Sequence, residues 1–145
     1  MELPETLLSQ SITEGALYFF YANCPIGIKE HIHVCIKRNN KLLFFSTCSS
    51  QINTALRLAE LNGFDTSTYP VFLADNKNEF KKPQTYIDCN NVIEIDDKDF
   101  AKLLKTGKVK RLSGFIDEYG LKIIANGIRK STLVSEEIKE LFAEN

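Results

Sequence analysis

The sequence predicts an α+β domain, a small antiparallel β-barrel followed by a helical C-terminal part packed on it. Residues from about 15 to 96 carry short apolar runs that alternate with period two between turn residues. From Asp97 onward the period lengthens to about 3.6. Most of the short strands have no crossover helix between them, which argues against a βαβ sheet. At 145 residues, 43% hydrophobic and 26% charged, the chain can bury about two-thirds of its unfolded surface in one core. One domain is therefore expected over residues 1–145, with the barrel at about 15–96 and the helical part at about 97–145.

Leu3 to Ser11 reads as one or two turns of loose helix. Gly15 opens an apolar run from Ala16 to Ala22, a core strand. Pro25 and Gly27 then punctuate a loop from Cys24 to Ile28. Glu30 to Ile36 alternates as a strand, as does the stretch from Leu42 to Thr47, with Asn39-Asn40 as a two-residue turn between them. Ser50 is a candidate cap for a helix running to Asn62, with Gly63 as its stop. Tyr69 to Leu73 is a short strand whose Pro70 suits an edge. Lys77 to Lys82 is a charged loop. Thr85–Cys89 and Val92–Ile95 read as two strands broken at Asn90-Asn91. Asp96 or Asp97 caps a helix carrying Phe100, Leu103 and Leu104, ended by Gly107. Asp117 to Lys130 and Ser131 to Phe142 supply the last two helices, and Gly127 is a weak point in the first of them.

The histidines carry the chemistry of interest. His31 and His33 are the only two in the chain and lie two apart on one strand. A turn at Asn39-Asn40 pairs Ile36 with Leu43, Val34 with Phe45 and Ile32 with Thr47. On the other face it pairs Cys35 with Phe44, His33 with Ser46 and His31 with Cys48. Opposed Cβ atoms in such a ladder lie roughly 4.5–5.5 Å apart. One face is thereby core, and the other gathers both imidazoles, a hydroxyl and a thiol.

Composition narrows the function classes. A net charge of −1 argues against a general nucleic-acid binder while leaving room for a local basic patch. The first residues lack a signal-peptide pattern, and no apolar stretch nears the roughly 18 residues of a membrane span, so a cytoplasmic protein off the membrane is expected. Cys24, Cys35, Cys48 and Cys89 show no CxxC spacing and read as small buried hydrophobes or free thiols. A zinc site from His31, His33, Cys48 and Cys24 is geometrically open, but i, i+2 neighbours on a strand chelate less well than an H-x₃-H pair on a helix. Lys102, Lys105, Lys108, Lys110 and Arg111 read as a solvated helix end, with an RNA-backbone patch as the minor reading.

Gly15-x-Leu-Tyr-Phe-Phe, a strand ending Val34-Cys35-Ile36, and Leu43-Phe-Phe-x-Thr-Cys-Ser-Ser-Gln51 together resemble the PemK/MazF-like toxin family. That family's second and third strands read R-P-V-L-V-I and V-x-x-x-L-T-S-Q. The later pieces are similar to a divergent branch: Pro70-Val71-Phe72-Leu73, Thr85-Tyr86-Ile87-Asp88-Cys89, and Leu121-x-x-Ile124-x-x-Gly127-Ile128-x-x-Ser131. The resemblance spans most of the chain. It implies an SH3-like barrel, a metal-independent endoribonuclease acting on single-stranded RNA, no cofactor, and an antitoxin protein as partner. A homodimer is compatible with it.

Cleavage by the ribose 2′-hydroxyl needs a base, an acid, and donors for the phosphate. Aligning the family's Ser-Gln with Ser50-Gln51 puts Ser49 at the family's threonine. The family's arginine falls near His31 or His33, a departure that leaves two outcomes. An imidazole with an ordinary pKa of about 6.5 suits proton transfer, or the activity has been lost. The candidate catalytic residues are thus His31, His33 and Ser49, with Ser46, Thr47, Ser50 and Lys29 as candidate substrate contacts and no metal. Against this stand satisfied strand histidines and ordinary strand-end hydroxyls, and an alternative function as a non-catalytic SH3-like domain that binds a protein or nucleic acid.

Overall fold

The structure, a computed structural model, describes residues 4–24 and 27–143, and the backbone alone at Glu5, 22–24 and 27–30. Six strands among these residues form one sheet: β1 (Ala16–Cys24), β2 (Gly27–Asn39), β3 (Leu42–Ser49), β4 (Val71–Leu73), β5 (Gln84–Asp96) and β6 (Lys110–Phe115). Their spatial order is β4-β5-β3-β2-β1-β6, and every neighbouring pair is antiparallel. Among the described residues five α-helices accompany it: α1 (Glu5–Ser11), α2 (Ile52–Asn62), α3 (Asp97–Lys105), α4 (Glu118–Lys130) and α5 (Glu136–Glu140). The domain is α+β, and the sheet curls into a half-barrel.

The curl follows from where the apolar residues fall. All six strands send side chains into one cluster, among them Leu17, Val34, Phe44, Phe72, Ile87 and Leu112, and α4 adds Ile124 and Ile128. Burying an aliphatic side chain of this size contributes roughly 1.5–3 kcal/mol, so α4 is held by the sheet it covers. The β4–β5 loop draws the two sheet edges together. The amide of Phe115 donates to the Lys77 carbonyl at 2.9 Å, and Gly114 lies against the Asn78 carbonyl with no room for a Cβ.

The opposite sheet face is also covered. Tyr18, Phe20, Cys35, Leu43 and Phe45 pack there with Ile12, Phe100 and Val109. Arg38 ties α1 to this face by donating to the carbonyls of Ser9 and Ile12 and pairing with Asp97 at 2.9 Å. Beside it, Ala55 and Ala59 of α2 pack with Tyr69 and Tyr86 in a third cluster.

The β2–β3 register corrects the expected pairing. The turn residues are Asn40 and Lys41, with Asn39 opposite Leu42. Asn40 supplies the left-handed corner at φ 58°, a conformation asparagine tolerates better than most residues. That displacement alone shifts the pairing by two and preserves the faces. A β-bulge at Ile36 then removes one step, so Cys35 faces Phe45, Val34 faces Ser46, His33 faces Thr47 and Ile32 faces Cys48. A net slip of one exchanges the faces. His33 therefore shares its face with Phe45 and Thr47, and Ser46 and Cys48 lie on the other.

Further departures are local. The part expected to be helical contains β6, which pairs with β1 through Ala16↔Phe115 and Tyr18↔Arg111. Lys110 and Arg111 therefore belong to a strand, not to a helix end. Asn90-Asn91 does not break β5, because the extra residues are absorbed in an irregularity opposite Thr47. The N-cap of α2 is Gln51, not Ser50, while Gly63 ends the helix at φ 67° as expected. Ser131 caps a turn by accepting from the amides of Leu133 and Val134, so the last helix is only Glu136–Glu140. Among the described residues no helix is long and apolar enough to cross a membrane.

Candidate functional site

His33 lies inside the protein. It is fully buried, and its ring stacks on Phe20 with centroids 3.9 Å apart and planes 18° from parallel. Among the described residues no hydrogen bond of ordinary geometry reaches either ring nitrogen or the Thr47 hydroxyl opposite it. Burial lowers its pKa to about 4, helped by the nearby charge of His31 and opposed by the His31 backbone. Desolvation disfavours the imidazolium, so His33 is neutral at neutral pH. On its other side in the ladder stands Tyr18, also fully buried, whose phenol burial pushes up to about 12 against the opposing fields of Arg111 and Arg38.

His31 is only partly buried and pairs with Phe20 in β1. Extending the β2–β3 register by one step from Ile32↔Cys48 brings His31 opposite Ser49, on the face of His33 and Thr47. The Ser49 hydroxyl accepts from the Gln51 amide at 3.2 Å, which helps turn the chain from β3 into α2. Ser50, fully outside the sheet, is exposed. Next to it an open groove of about 370 Å³ is lined by Ser50, Gln51, Ile52, Lys82, Pro83 and Gln84.

The expected site is thus split. Ser49 and Ser50 lie where β3 ends, Ser50 lining the groove, and the extended register brings His31 of β2 opposite Ser49. His33 and Thr47 sit deeper on the same face, and the Ser46 hydroxyl, buried and without a partner among the described residues, lies on the other. The Lys29 and Cys24 side chains lie outside the described residues. Cys48 belongs to the α4 side of the sheet, so it cannot join His33 around one ion. Among the described residues no group of three His, Cys, Asp or Glu side chains could hold a metal. Cys35, Cys48 and Cys89 are buried free thiols whose ionisation burial pushes upward, so they are poor nucleophiles.

Two features escaped sequence reasoning. Asp88 sits in the β5 irregularity, and burial raises its carboxyl to about 6 despite the Asn90 amide it accepts at 2.9 Å. Its burial arises in the β5 irregularity opposite Thr47, and no local pattern signals that. The second is the groove, whose two glutamines lie 33 positions apart in sequence. Extension of the Ser49↔Tyr86 pairing brings Gln51 towards Gln84.

No family model matches the chain, and no characterised protein matches it in sequence.

Proposed function

We propose that the chain is a PemK/MazF-like, SH3-type barrel protein, a toxin or a toxin-derived endoribonuclease, that acts on single-stranded RNA in the cytoplasm and is held in check by a partner protein. What supports this reading is the β2–β3 register, which, carried one step past Ile32↔Cys48, would set His31 across from Ser49 where β3 ends. There an imidazole would stand across from a hydroxyl beside a groove large enough for a small ligand. In this reading His31 exchanges the proton, Ser49 donates to the phosphate, and no metal takes part. His33 has no proton-transfer role in it, because a buried ring shifted to about 4 cannot trade protons with substrate.

A binding-only SH3-like domain is the second reading, and the sealed position of His33 favours it, since the expected second proton-transfer group is withdrawn from solvent. Incubating the purified chain with a single-stranded RNA ladder in EDTA separates the two. Cleavage supports the ribonuclease, retention without cleavage supports the binding domain, and neither outcome on RNA sinks both RNA readings.

A further inference from the structure

We propose that the groove at the junction of β3 and α2 is a nucleotide subsite, one that holds a single adenine nucleotide of a bound RNA strand. This rests on the RNA reading above and adds to it which residues would read the base. The groove's volume of about 370 Å³ lies at the small end of the range for ligand pockets, about 300–1,000 Å³. Its chemistry divides into the three parts that a nucleotide needs. Ile52 and Pro83 offer apolar surface for the face of a base. Gln51 and Gln84 offer carboxamides, whose paired donor and acceptor match the edge of adenine. Lys82 offers an ammonium to a phosphate, and Ser50 a hydroxyl.

These polar groups are not occupied by the fold. Gln51 is the N-cap of α2 yet makes no side-chain capping bond. Among the described residues, the side chains of Ser50, Lys82 and Gln84 likewise make no hydrogen bond or ion pair within the protein. All four are exposed, so binding would cost little reorganisation. The groove begins one residue past Ser49, which makes it the neighbouring subsite to the His31–Ser49 pair along a strand of RNA.

The test is fluorescence anisotropy with labelled rA6, rU6, rC6 and rG6, together with competition by AMP, on the full chain and on Gln51→Ala, Gln84→Ala and Lys82→Gln. The groove predicts tightest binding to rA6. Each glutamine variant should weaken rA6 by about fivefold, the scale of one hydrogen bond, and narrow its advantage over rU6. Lys82→Gln should weaken all four oligomers alike and flatten the salt dependence. Thermal melts of these surface variants should match the parent. Binding that none of the three changes overturns the groove while leaving the RNA reading standing. No binding of any oligomer by the parent chain overturns both. AMP competing as strongly as rA6 keeps the nucleotide chemistry and overturns RNA as its source.

Discussion

His33 and Thr47 face each other directly in the β2–β3 ladder, both buried, and neither side chain has a hydrogen-bond partner among the described residues. Buried polar groups without partners are rare and costly. The pair therefore burdens the fold, and the burden can be measured.

Replacing His33 by phenylalanine keeps a flat ring against Phe20 and removes two unpaired nitrogens. The variant should gain about 1–2 kcal/mol, since the desolvation cost of an unmatched buried polar group disappears. Urea unfolding at pH 7.5 measures it. A large loss of stability would mean that the imidazole has a partner, such as an internal water, whose bonds matter to the fold.

Acid should act on the parent chain through two groups of opposite sign. His33 takes its proton at about pH 4 when folded and near 6.5 when unfolded. Acidification through that window protonates the unfolded chain first, and about 3 kcal/mol of stability drains away. Asp88 is protonated at about pH 6 when folded, above its unfolded value, so acidification from 6 to 4 favours the folded state by about 2 kcal/mol. His33→Phe should therefore become more stable between pH 6 and 4, and Asp88→Asn less so. Identical slopes in the two variants would show that neither group is perturbed in this way.

How much of this was legible in the sequence depends on contrast between faces. The helix cap at Asp96 and the stop at Gly63 were readable because short polar side chains and glycine have strong positional meaning. The β2–β3 register was not. Val34, Cys35 and Ile36 are all buried, because both sheet faces are covered, so no polar side of the strand marks the parity. The bulge at Ile36 then changes it without a glycine or proline to announce it. Strand β6 escaped because four of its six residues are exposed and it lies at a sheet edge, which left only its charges visible. The hydroxyls and imidazoles of the candidate site stand in adjoining strands, as the hairpin implies. The parity error assigned His33 to Ser46 instead of Thr47, and burial, which decides whether a histidine can titrate, has no local signature.

Arg38 joins three elements through one guanidinium. It donates to α1 at Ser9 and Ile12 and pairs with Asp97 at the start of α3. Arg38→Ala should cost about 2–4 kcal/mol, chiefly because the nearly buried Asp97 loses its counter-charge. Replacing both partners, with Arg38→Met and Asp97→Leu, should recover much of that. Hydrogen exchange in Arg38→Ala should quicken first in α1. A double variant as unstable as the single one would place the value in the α1 carbonyl bonds instead of the ion pair.

Gly127 sits in α4 where a Cβ would approach the Ser67 carbonyl oxygen to 2.6 Å and the Cys89 sulfur to 2.8 Å. Alanine is the better helix former by up to about 1 kcal/mol. The clash works against it, since α4 cannot move without dislodging Ile124 and Ile128 from the core, and overpacking costs about 1–3 kcal/mol. Gly127→Ala should thus lower the melting temperature despite its propensity. A higher melting temperature would mean that the Thr66–Thr68 turn yields at little cost.

The histidines separate the two functional readings by their positions. If the chain cleaves RNA, it should do so in EDTA, and His31→Ala should slow it by roughly 10²–10⁴-fold, the scale of losing a positioned proton-transfer group. Ser49→Ala should cost less, because it removes one bond to phosphate worth about 1.5–3 kcal/mol. Its loss from the chain reversal into α2 is checked by a thermal melt, since the same hydroxyl accepts from the Gln51 amide. His33→Phe should leave the rate within a few-fold of the parent, as the ring is fully enclosed and a neutral buried imidazole exchanges no proton with substrate. A rate that collapses in His33→Phe, in a variant shown to be folded, would move the chemistry inward and require the Phe20 stack to open during turnover. Cleavage lost in EDTA and restored by zinc would instead demand a ligand set beyond the described residues. Cleavage that survives His31→Ala and Ser49→Ala together would remove the sheet end from the reaction, and with it the observation on which the ribonuclease reading stands.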